Sequence, residues 1–290
     1  NAVALTGLDG ASIENKGVIN LTGDGSIGMY VRDADGVSSN SVNVNEKSIA
    51  YYADGTSGEI IITGTSSIGK TSTLLAAANG GKIDYQSGAI NLGDERYGAL
   101  IDGAASVIDF GGNDISVGEK SVAVMLKNGG QLNNTLHDIN VGKAGVGIYL
   151  ADATNIISPA SRTINLSENA TGIYGDNGGN IQLGGNILSV SDGAKGIASK
   201  NSLLSVIENA GNIDLSGKAS VGMYGEGIDT LKNNAGKTIK VGDSNTATGK
   251  AGVALFGLNS SALLNEGSLE FGEGAAGIYG ENISSGIENR

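Results

Sequence analysis

Residues 210–227 read AGNIDLSGKASVGMYGEG, and this stretch decides the fold because the chain repeats it. Ile213 and Leu215 are separated by one residue, so their side chains point to the same side of an extended strand. The stretch ends on the motif SVGMYG. The same alternation predicts that Val221 and Met223 share one face of the strand and that Tyr224 lies on the other face or at a corner.

The aromatic residue of SVGMYG has a counterpart in every part of the chain. Clear copies of the motif are SIGMYV (26–31), ATGIYG (170–175) and AAGIYG (275–280). The counterparts, called markers below, are Tyr30, Tyr52, Ala76, Leu100, Met125, Tyr149, Tyr174, Ala198, Tyr224, Phe256 and Tyr279. Their successive spacings are 22, 24, 24, 25, 24, 25, 24, 26, 32 and 23 residues. Self-similarity at such a period is the signature of a repeat protein.

An apolar pair precedes each marker. The pairs are Ile19-x-Leu21, Val42-x-Val44, Ile60-x-Ile62, Ile90-x-Leu92, Ile115-x-Val117, Ile139-x-Val141, Ile164-x-Leu166, Leu188-x-Val190, Ile213-x-Leu215, Ile239-x-Val241 and Leu269-x-Phe271. A weaker apolar position lies further upstream and is often followed by Asn-x-Gly, as in IENKG (13–17) and IENAG (207–211). Asn and Gly tolerate left-handed backbone, so we expect sharp corners there.

These three apolar positions predict the fold. One unit cannot bury its apolar side chains alone, but stacked units place aliphatic on aliphatic in continuous interior columns. Three short strands in about 25 residues describe a parallel β-helix. The predicted fold class is therefore all-β, a parallel β-helix (solenoid) of about eleven coils that forms a single repeat domain over residues 1–290. The consensus patterns of leucine-rich repeats and of calcium-binding nonapeptides are missing.

Composition narrows the possible functions. The formal net charge of −12 gives no electrostatic reason to bind nucleic acid or an anionic membrane. The absence of cysteine excludes disulfides, thiolate metal sites and cysteine nucleophiles. His137 is the only histidine, and we expect an exposed strand or corner position rather than a metal or acid–base role. The sequence predicts no cofactor.

Residues 58–80, GEIIITGTSSIGKTSTLLAAANG, suggest a competing interpretation. Gly64-x-x-x-x-Gly69-Lys70-Thr71 follows an apolar run and matches a phosphate-binding P-loop. Such a loop must lead into a true helix, whose N-terminus holds the phosphate, and no other segment has a helical apolar period. In the repeat, Ile60 and Ile62 are the apolar pair of the third unit and residues 63–71 are a lengthened turn. We therefore predict no nucleotide partner.

Acidic turns offer a second alternative, a β-helical carbohydrate-active enzyme such as a polysaccharide lyase or hydrolase. Its active site would need acidic and basic groups from adjacent coils to converge. The carboxylates of Asp33, Asp94, Asp192 and Asp243 fall at different offsets in their units. Arg96 lies beside such a turn without a second arginine nearby in the repeat. The sequence therefore favours solvated turn charges, and we predict that the chain is not an enzyme.

Two segments exceed the repeat length and are the predicted partner-contacting surface. Residues 242–250, GDSNTATGK, lengthen the tenth unit, and residues 63–71 lengthen the third. Insertions in solenoids project from one face, which is often the binding face. The candidate contact residues are Thr65, Ser66, Lys70, Arg96, Asp243, Asn245 and Lys250. The tyrosine markers are expected to pack on one another as a half-exposed column.

The repeats resemble a known family. NKGVINLTGDGSIGMYV (15–31), AGNIDLSGKASVGMYGEG (210–227) and NEGSLEFGEGAAGIYGEN (265–282) are similar to passenger repeats of large type V autotransporter adhesins of Gram-negative bacteria, the fusobacterial kind in particular. The resemblance covers essentially the whole chain. It implies a right-handed β-helix on the bacterial cell surface, anchored to the outer membrane through a C-terminal barrel outside this segment. It implies attachment to host-cell or bacterial receptors, and it transfers no catalytic residue.

Overall fold

The computed structural model describes residues 2–152, 156–158, 162–177 and 179–290, and every regular element in these ranges is a β-strand. None of them belongs to a helix long and apolar enough to cross a membrane. The chain divides into two compact units, Asn1–His137 and Asp138–Arg290. Both are parallel β-solenoids with three sheets per coil, and together they contain about 12 turns of about 24 residues. The predicted fold class is confirmed; the single domain stays a prediction.

The first unit builds three kinds of sheet from short parallel strands. The marker strands pair in the order β1-β4-β7-β10-β13-β16, a second sheet has the order β14-β11-β8-β5-β2, and the third face holds β3-β6-β9 and the pair β12-β15. The strands are β1 (Val3–Leu8), β2 (Ser12–Asn15), β3 (Ile19–Leu21), β4 (Ile27–Arg32), β5 (Asp35–Ser38), β6 (Val42–Val44), β7 (Ile49–Asp54), β8 (Glu59–Ile62), β9 (Ser66–Ile68), β10 (Thr73–Ala78), β11 (Lys82–Tyr85), β12 (Ile90–Leu92), β13 (Tyr97–Asp102), β14 (Val107–Asp109), β15 (Ile115–Val117) and β16 (Val122–Lys127).

The second unit repeats this plan. Its marker sheet has the order β18-β21-β24-β26-β28-β31, its second sheet the order β19-β22-β24-β26-β29-β32, and its third the order β17-β20-β23-β25-β27-β30. The long strands β24 and β26 each contribute to both the marker sheet and the second sheet. The strands are β17 (Ile139–Val141), β18 (Val146–Ala151), β19 (Ile156–Ser158), β20 (Thr163–Leu166), β21 (Thr171–Asp176), β22 (Ile181–Leu183), β23 (Asn186–Ser189), β24 (Lys195–Asn209), β25 (Asn212–Leu215), β26 (Val221–Asn233), β27 (Thr238–Val241), β28 (Val253–Leu258), β29 (Ala262–Asn265), β30 (Ser268–Phe271), β31 (Ala276–Glu281) and β32 (Gly286–Asn289).

The marker positions lie in register, as the sequence predicts. Tyr30 is opposite Tyr52 in the first unit, and in the second unit Tyr224 is opposite Phe256, which is opposite Tyr279. The residue before each marker from Tyr30 to Phe256 points inward and is buried, as Met29 and Tyr51 are, whereas Ile278 in the last coil is half-buried. Stacked inward side chains of this kind form the hydrophobic core of each unit.

The third coil differs from the prediction. Val42 and Val44 pair with Ser66 and Ile68 of β9, whereas Ile60 and Ile62 pair with Ile83 and Tyr85 in another sheet. The assignment of Ile60-x-Ile62 was therefore wrong, because a β-branched run gives a stronger pattern than SSI with its single aliphatic residue. Residues 63–71 are consequently not a lengthened turn, since they contain a strand of the coil.

The apolar pair of the eighth unit was also assigned one residue out of register. Ile187 and Ser189 face inward, opposite Ile213 and Leu215, while Leu188 and Val190 are 41% and 87% exposed. The Ser189 hydroxyl donates a 2.9 Å hydrogen bond to the carbonyl of Leu166, so a polar residue is satisfied inside the coil. A hydrophobicity pattern cannot predict a serine at an inward position that is aliphatic in most other coils.

Besides positive-φ residues five positions before most markers, such as Lys47 and Ala219, a sharp corner lies three residues after each marker rather than at IENKG or IENAG. Residues with positive φ occupy this position, and all are Asp, Asn or Gly: Asp33, Gly55, Asn79, Gly103, Asn128, Asp152, Asn177, Asn201, Gly227, Asn259 and Asn282. These types tolerate left-handed backbone. The asparagines of the Asn-x-Gly sequences instead end strands and stack their amides inside the coil. In the second unit Asn209 donates to Asn233 and Asn233 donates to Asn265, both at 2.8 Å.

We expect Thr71→Asn to stabilise the chain by about 1 kcal/mol. Thr71 has φ 55°, a left-handed conformation that is strained for a β-branched residue and tolerated by asparagine. Thermal unfolding followed by circular dichroism measures the change. Thr65→Asn is the matched control, because Thr65 is an exposed threonine outside the set of positive-φ residues. Equal stability of the Thr71 variant and the parent would contradict the strain argument.

Candidate functional site

The P-loop-like segment does not form a phosphate-binding geometry. Thr71 leads into strand β10 instead of a helix, so no helix N-terminus faces the glycines. The Lys70 ammonium lies 3.2 Å from a carboxylate oxygen of Glu95. Thr65 is exposed, but the Ser66 hydroxyl lies 2.8 Å from the hydroxyl of the fully buried Tyr51. Ser66 is therefore engaged in the coil interior, whereas the other two candidate contact residues of this segment, Thr65 and Lys70, are exposed.

The acidic turns bind backbone rather than converge on a catalytic site. The Asp94 carboxylate accepts the N–H of Glu119 at 2.8 Å, and Asp192 accepts the N–H of Lys218 at 2.9 Å. Asp243 does the same with Glu273 at 2.8 Å. Each carboxylate thus caps the turn of the following coil, which is a structural use of its charge.

Other polar candidates are likewise engaged locally. Arg96 is half-buried, and its guanidinium covers Gly93, so its position is set by packing within the coil. His137 is exposed, and its Nδ1 lies 2.8 Å from the Asp114 carboxylate. Neither arrangement places a nucleophile beside a general base.

The marker aromatics form half-exposed columns, as expected. Ring centroids are 5.3 Å apart for Tyr30 and Tyr52, 5.3 Å for Tyr224 and Phe256, and 5.1 Å for Phe256 and Tyr279. The Phe256 ring is roughly perpendicular to both neighbours, at interplanar angles of 86° and 89°, which is a favourable geometry for aromatic pairs. These contacts hold the Phe256 ring in place on the outer surface of the marker sheet.

The predicted insertion in the tenth unit is present. Val241 lies opposite Leu215, 26 residues earlier, whereas Val253 lies opposite Val221, 32 residues earlier, so six additional residues separate β27 from β28. The insertion closes on itself through the Asn245 N–H, which donates to the Lys250 carbonyl at 2.8 Å. Asn245 and Asp243 therefore shape the loop, and the Lys250 side chain is left at its end.

The end of this insertion forms one wall of a pocket of about 370 Å³ on the outer face of the marker sheet. Lys195 and Lys250 contribute the charged groups, while Val221, Val253 and Phe256 supply apolar and aromatic surface. Its volume is within the lower part of the range that small-molecule sites occupy. Val221 is half-buried and lines this pocket while Met223 is fully buried in the core, so the prediction that Val221 shares the face of Met223 was wrong.

The two lysines of the pocket differ from four other lysines of the second unit in having no ion pair, as do Lys218 and Lys237 among the described residues. Within the described part of the second unit, Lys143, Lys200, Lys232 and Lys240 are paired with carboxylates at 2.8–3.3 Å. Neither Lys195 nor Lys250 has such a partner among the described residues. The pocket therefore presents two uncompensated positive charges on a chain whose net charge is −12.

Burial, followed by the positive charges of Lys250 and Lys200, lowers the pKa of Lys195 although part of its side chain is exposed. A lysine whose pKa is lower in the folded chain than in the unfolded chain binds its proton more weakly when folded. Stability therefore rises as the pH increases through the folded-state pKa toward the ordinary value. A bound anion would favour the charged form and oppose this shift.

Sequence reasoning identified Lys250 and the Phe256 marker but missed Lys195. A signal was available, because Lys195 occupies the position three residues before a marker. The other residues there are Ile27, Ile49, Thr73, Tyr97, Val122, Val146, Thr171, Val221, Val253 and Ala276. Lys195 is the single charged residue in this column, on the outer face of the marker sheet.

No protein-family model, curated protein or solved structure matches the chain. What the chain shows by its own architecture is a parallel β-solenoid protein.

Proposed function

We propose that this chain is a non-catalytic, surface-displayed segment of an autotransporter adhesin passenger, which supports or mediates attachment to host cells or to other bacteria. The repeat resemblance suggests this role. The observation that carries it is the distribution of polar groups. Carboxylates that could serve catalysis cap backbone of the next coil, as Asp94, Asp192 and Asp243 do, while an outer pocket keeps two unpaired lysines.

This distribution suits a protein that binds without transforming its ligand. General acid–base catalysis needs a positioned donor and acceptor on the reacting group. Among the described residues, the pocket lining contains two lysines, Asn169 and otherwise small or apolar residues, but no carboxylate. Binding requires only a concave surface with a few placed polar groups, which the pocket provides. The stacked interior columns would meanwhile supply a rigid support for whatever the outer face contacts.

One observation favours the alternative, a polysaccharide lyase. A lysine with a lowered pKa can act as a general base, and Lys195 has such a pKa. A lyase would use this base to remove the C5 proton beside the carboxylate of a uronic acid, while the C4–O glycosidic bond breaks to release the attached sugar and a C4–C5 double bond forms in the product. Incubation with polyuronates, followed by ultraviolet absorbance, would detect that product, and its appearance would favour the enzyme.

Adhesion is tested with beads that carry the folded chain. We expect coated beads to attach to at least one class of cell, epithelial or bacterial, more strongly than beads coated with albumin. Excess soluble chain should remove the attachment, because it occupies the same receptors. If coated and albumin beads attach equally to every cell type, the adhesive role is wrong.

A further inference from the structure

We propose that the pocket between Lys195 and Lys250 is a binding site for the carboxylate of an acidic sugar, with the Phe256 ring as the platform for the apolar face of that sugar. The proposal rests on the adhesive function above and names the class of receptor that it would recognise. It begins from three features that meet in one cavity of about 370 Å³: two unpaired ammonium groups, an immobilised aromatic ring and an apolar floor.

The two positively charged lysines favour an anionic ligand in the pocket. Lys195 and Lys250 line the same cavity, and the positive charge of Lys250 disfavours the charged form of Lys195. A carboxylate that accepts hydrogen bonds from both would relieve this repulsion, and charge-assisted hydrogen bonds are stronger than neutral ones. No carboxylate of the chain lines the pocket to perform this task. The counter-charge is therefore expected to come from a ligand.

The aromatic ring distinguishes a sugar from a simple anion. Phe256 lies between Tyr224 and Tyr279, roughly perpendicular to both rings at centroid distances of 5.3 and 5.1 Å, so these neighbours restrict the orientation of its ring. Val221 and Val253 extend the apolar surface beside it. A ligand for this pocket needs an apolar face and a carboxylate in one small rigid body. A uronic acid or sialic acid residue has both, whereas phosphate or acetate would leave the ring uncovered.

The insertion completes the site. Lys250 stands where the loop of the tenth unit returns to the coil, held by the hydrogen bond from the Asn245 N–H to its own carbonyl. Without the six additional residues, no second ammonium would face Lys195. The loop that the sequence identified as a contact surface thus acts through its last residue rather than through its polar tip.

The test is a titration of the full chain with D-glucuronate and with N-acetylneuraminate, using glucose as the neutral probe and calorimetry or NMR shifts as the measurement. We expect both acids to bind at least about tenfold more tightly than glucose. Lys195→Gln together with Lys250→Gln should remove about tenfold or more of that affinity, and Phe256→Leu should weaken it severalfold. Lys240→Gln is the matched control, because Lys240 pairs with Asp214 outside the pocket.

Several results would overturn the proposal. Equal binding of glucose and glucuronate would exclude recognition of the carboxylate, and unchanged affinity of the double lysine variant would place binding elsewhere. Binding of an oligoglutamate peptide without binding of either sugar would identify an acidic peptide as the ligand. The double variant is not expected to lose stability, since it removes a repulsive pair, and its thermal midpoint verifies that it folds.

The outcomes separate this proposal from the adhesive function. If beads carrying the double lysine variant attach to cells as well as the parent does, the adhesive function stands and the pocket proposal falls. If the chain binds glucuronate but coated beads attach to no cell, the pocket proposal stands and the adhesive function falls.

Discussion

Replacing Asn233 by alanine is expected to destabilise the second unit by about 4 kcal/mol, because it leaves two buried polar groups without partners. The Asn233 side chain is 0% exposed. Its carbonyl oxygen accepts a hydrogen bond from Asn209 and its amide donates one to Asn265, each at 2.8 Å. Alanine satisfies neither neighbour. Each orphaned buried group costs about 1–3 kcal/mol, more than the hydrogen bond itself contributes.

The measurement is a urea titration followed by circular dichroism, together with hydrogen exchange of the amides in β26 and β29. Exchange is informative because a solenoid can open locally between neighbouring coils. We expect the loss of protection to be greatest in those two strands. Asn165→Ala is the matched control. Asn165 also donates to an asparagine, Asn140, at 2.9 Å, but it is only half-buried, so a change of about 0.5 kcal/mol is expected.

A second variant at Asn233 tests whether the hydrogen bonds of the side chain, and not only its volume, stabilise the coil. Asn233→Asp keeps the volume and the acceptor for Asn209 but replaces the amide that donates to Asn265 with an oxygen. A carboxylate at this position would be buried and would face the Asn265 carbonyl oxygen, so we expect it to be at least as destabilising as alanine near neutral pH. If Asn233→Ala unfolds like the parent, stacked amides do not support the coil, and the sequence pattern needs another explanation.

The sequence predicted where the stacked asparagines recur but not what they do. The Asn-x-Gly pattern correctly identified a position that recurs in the coil. The explanation attached to it was wrong, because local propensity suggests a corner whereas the observed role depends on an asparagine one coil away. A contact between residues about 24 positions apart cannot be inferred from the preferences of a single residue. The corner three residues after each marker shows the same preference for Asn, Asp and Gly and was available in the sequence, whereas the positive-φ positions five residues before the markers also hold Lys, Thr, Glu and Ala.

The strand register was predicted correctly for coils whose inward positions are aliphatic. The prediction was wrong for coils in which serine occupies an inward position. Ile213 and Ile239 pair as expected, because no other aliphatic residue beside them could be assigned to the same inward position. In the third coil, Ser66 faces inward and contacts Tyr51. In the eighth coil, Ser189 faces inward. Both serine hydroxyls form hydrogen bonds with partners in other strands, and the sequence pattern does not show these partners. The aliphatic residues nearby were therefore assigned to the inward positions instead of the serines.

The sequence contains signals for both lysines of the candidate site, but not for their proximity. The length of the tenth unit reveals the insertion, and the charge of Lys195 in an uncharged column reveals the second lysine. What the sequence does not contain is the distance between them, because Lys195 and Lys250 belong to different coils separated by 55 positions. Once the coils are in register, both lysines line the same cavity. The chemistry of the site therefore comes from stacking.

Gly222→Val is expected to destabilise the second unit by about 3 kcal/mol, because the glycine of the SVGMYG motif points into a space that has no room for a side chain. A Cβ at this position would lie 2.6 Å from the carbonyl oxygen of Ala254 and would clash with the Ile239 side chain. Backbone of the adjacent coil cannot move aside without breaking its ladder. Gly222→Ala should cost less, and thermal unfolding ranks the two. Gly17→Val is the control, because a Cβ there meets nothing within 4 Å. If both valine variants unfold at the same temperature, close packing at this position does not explain why the repeat uses glycine.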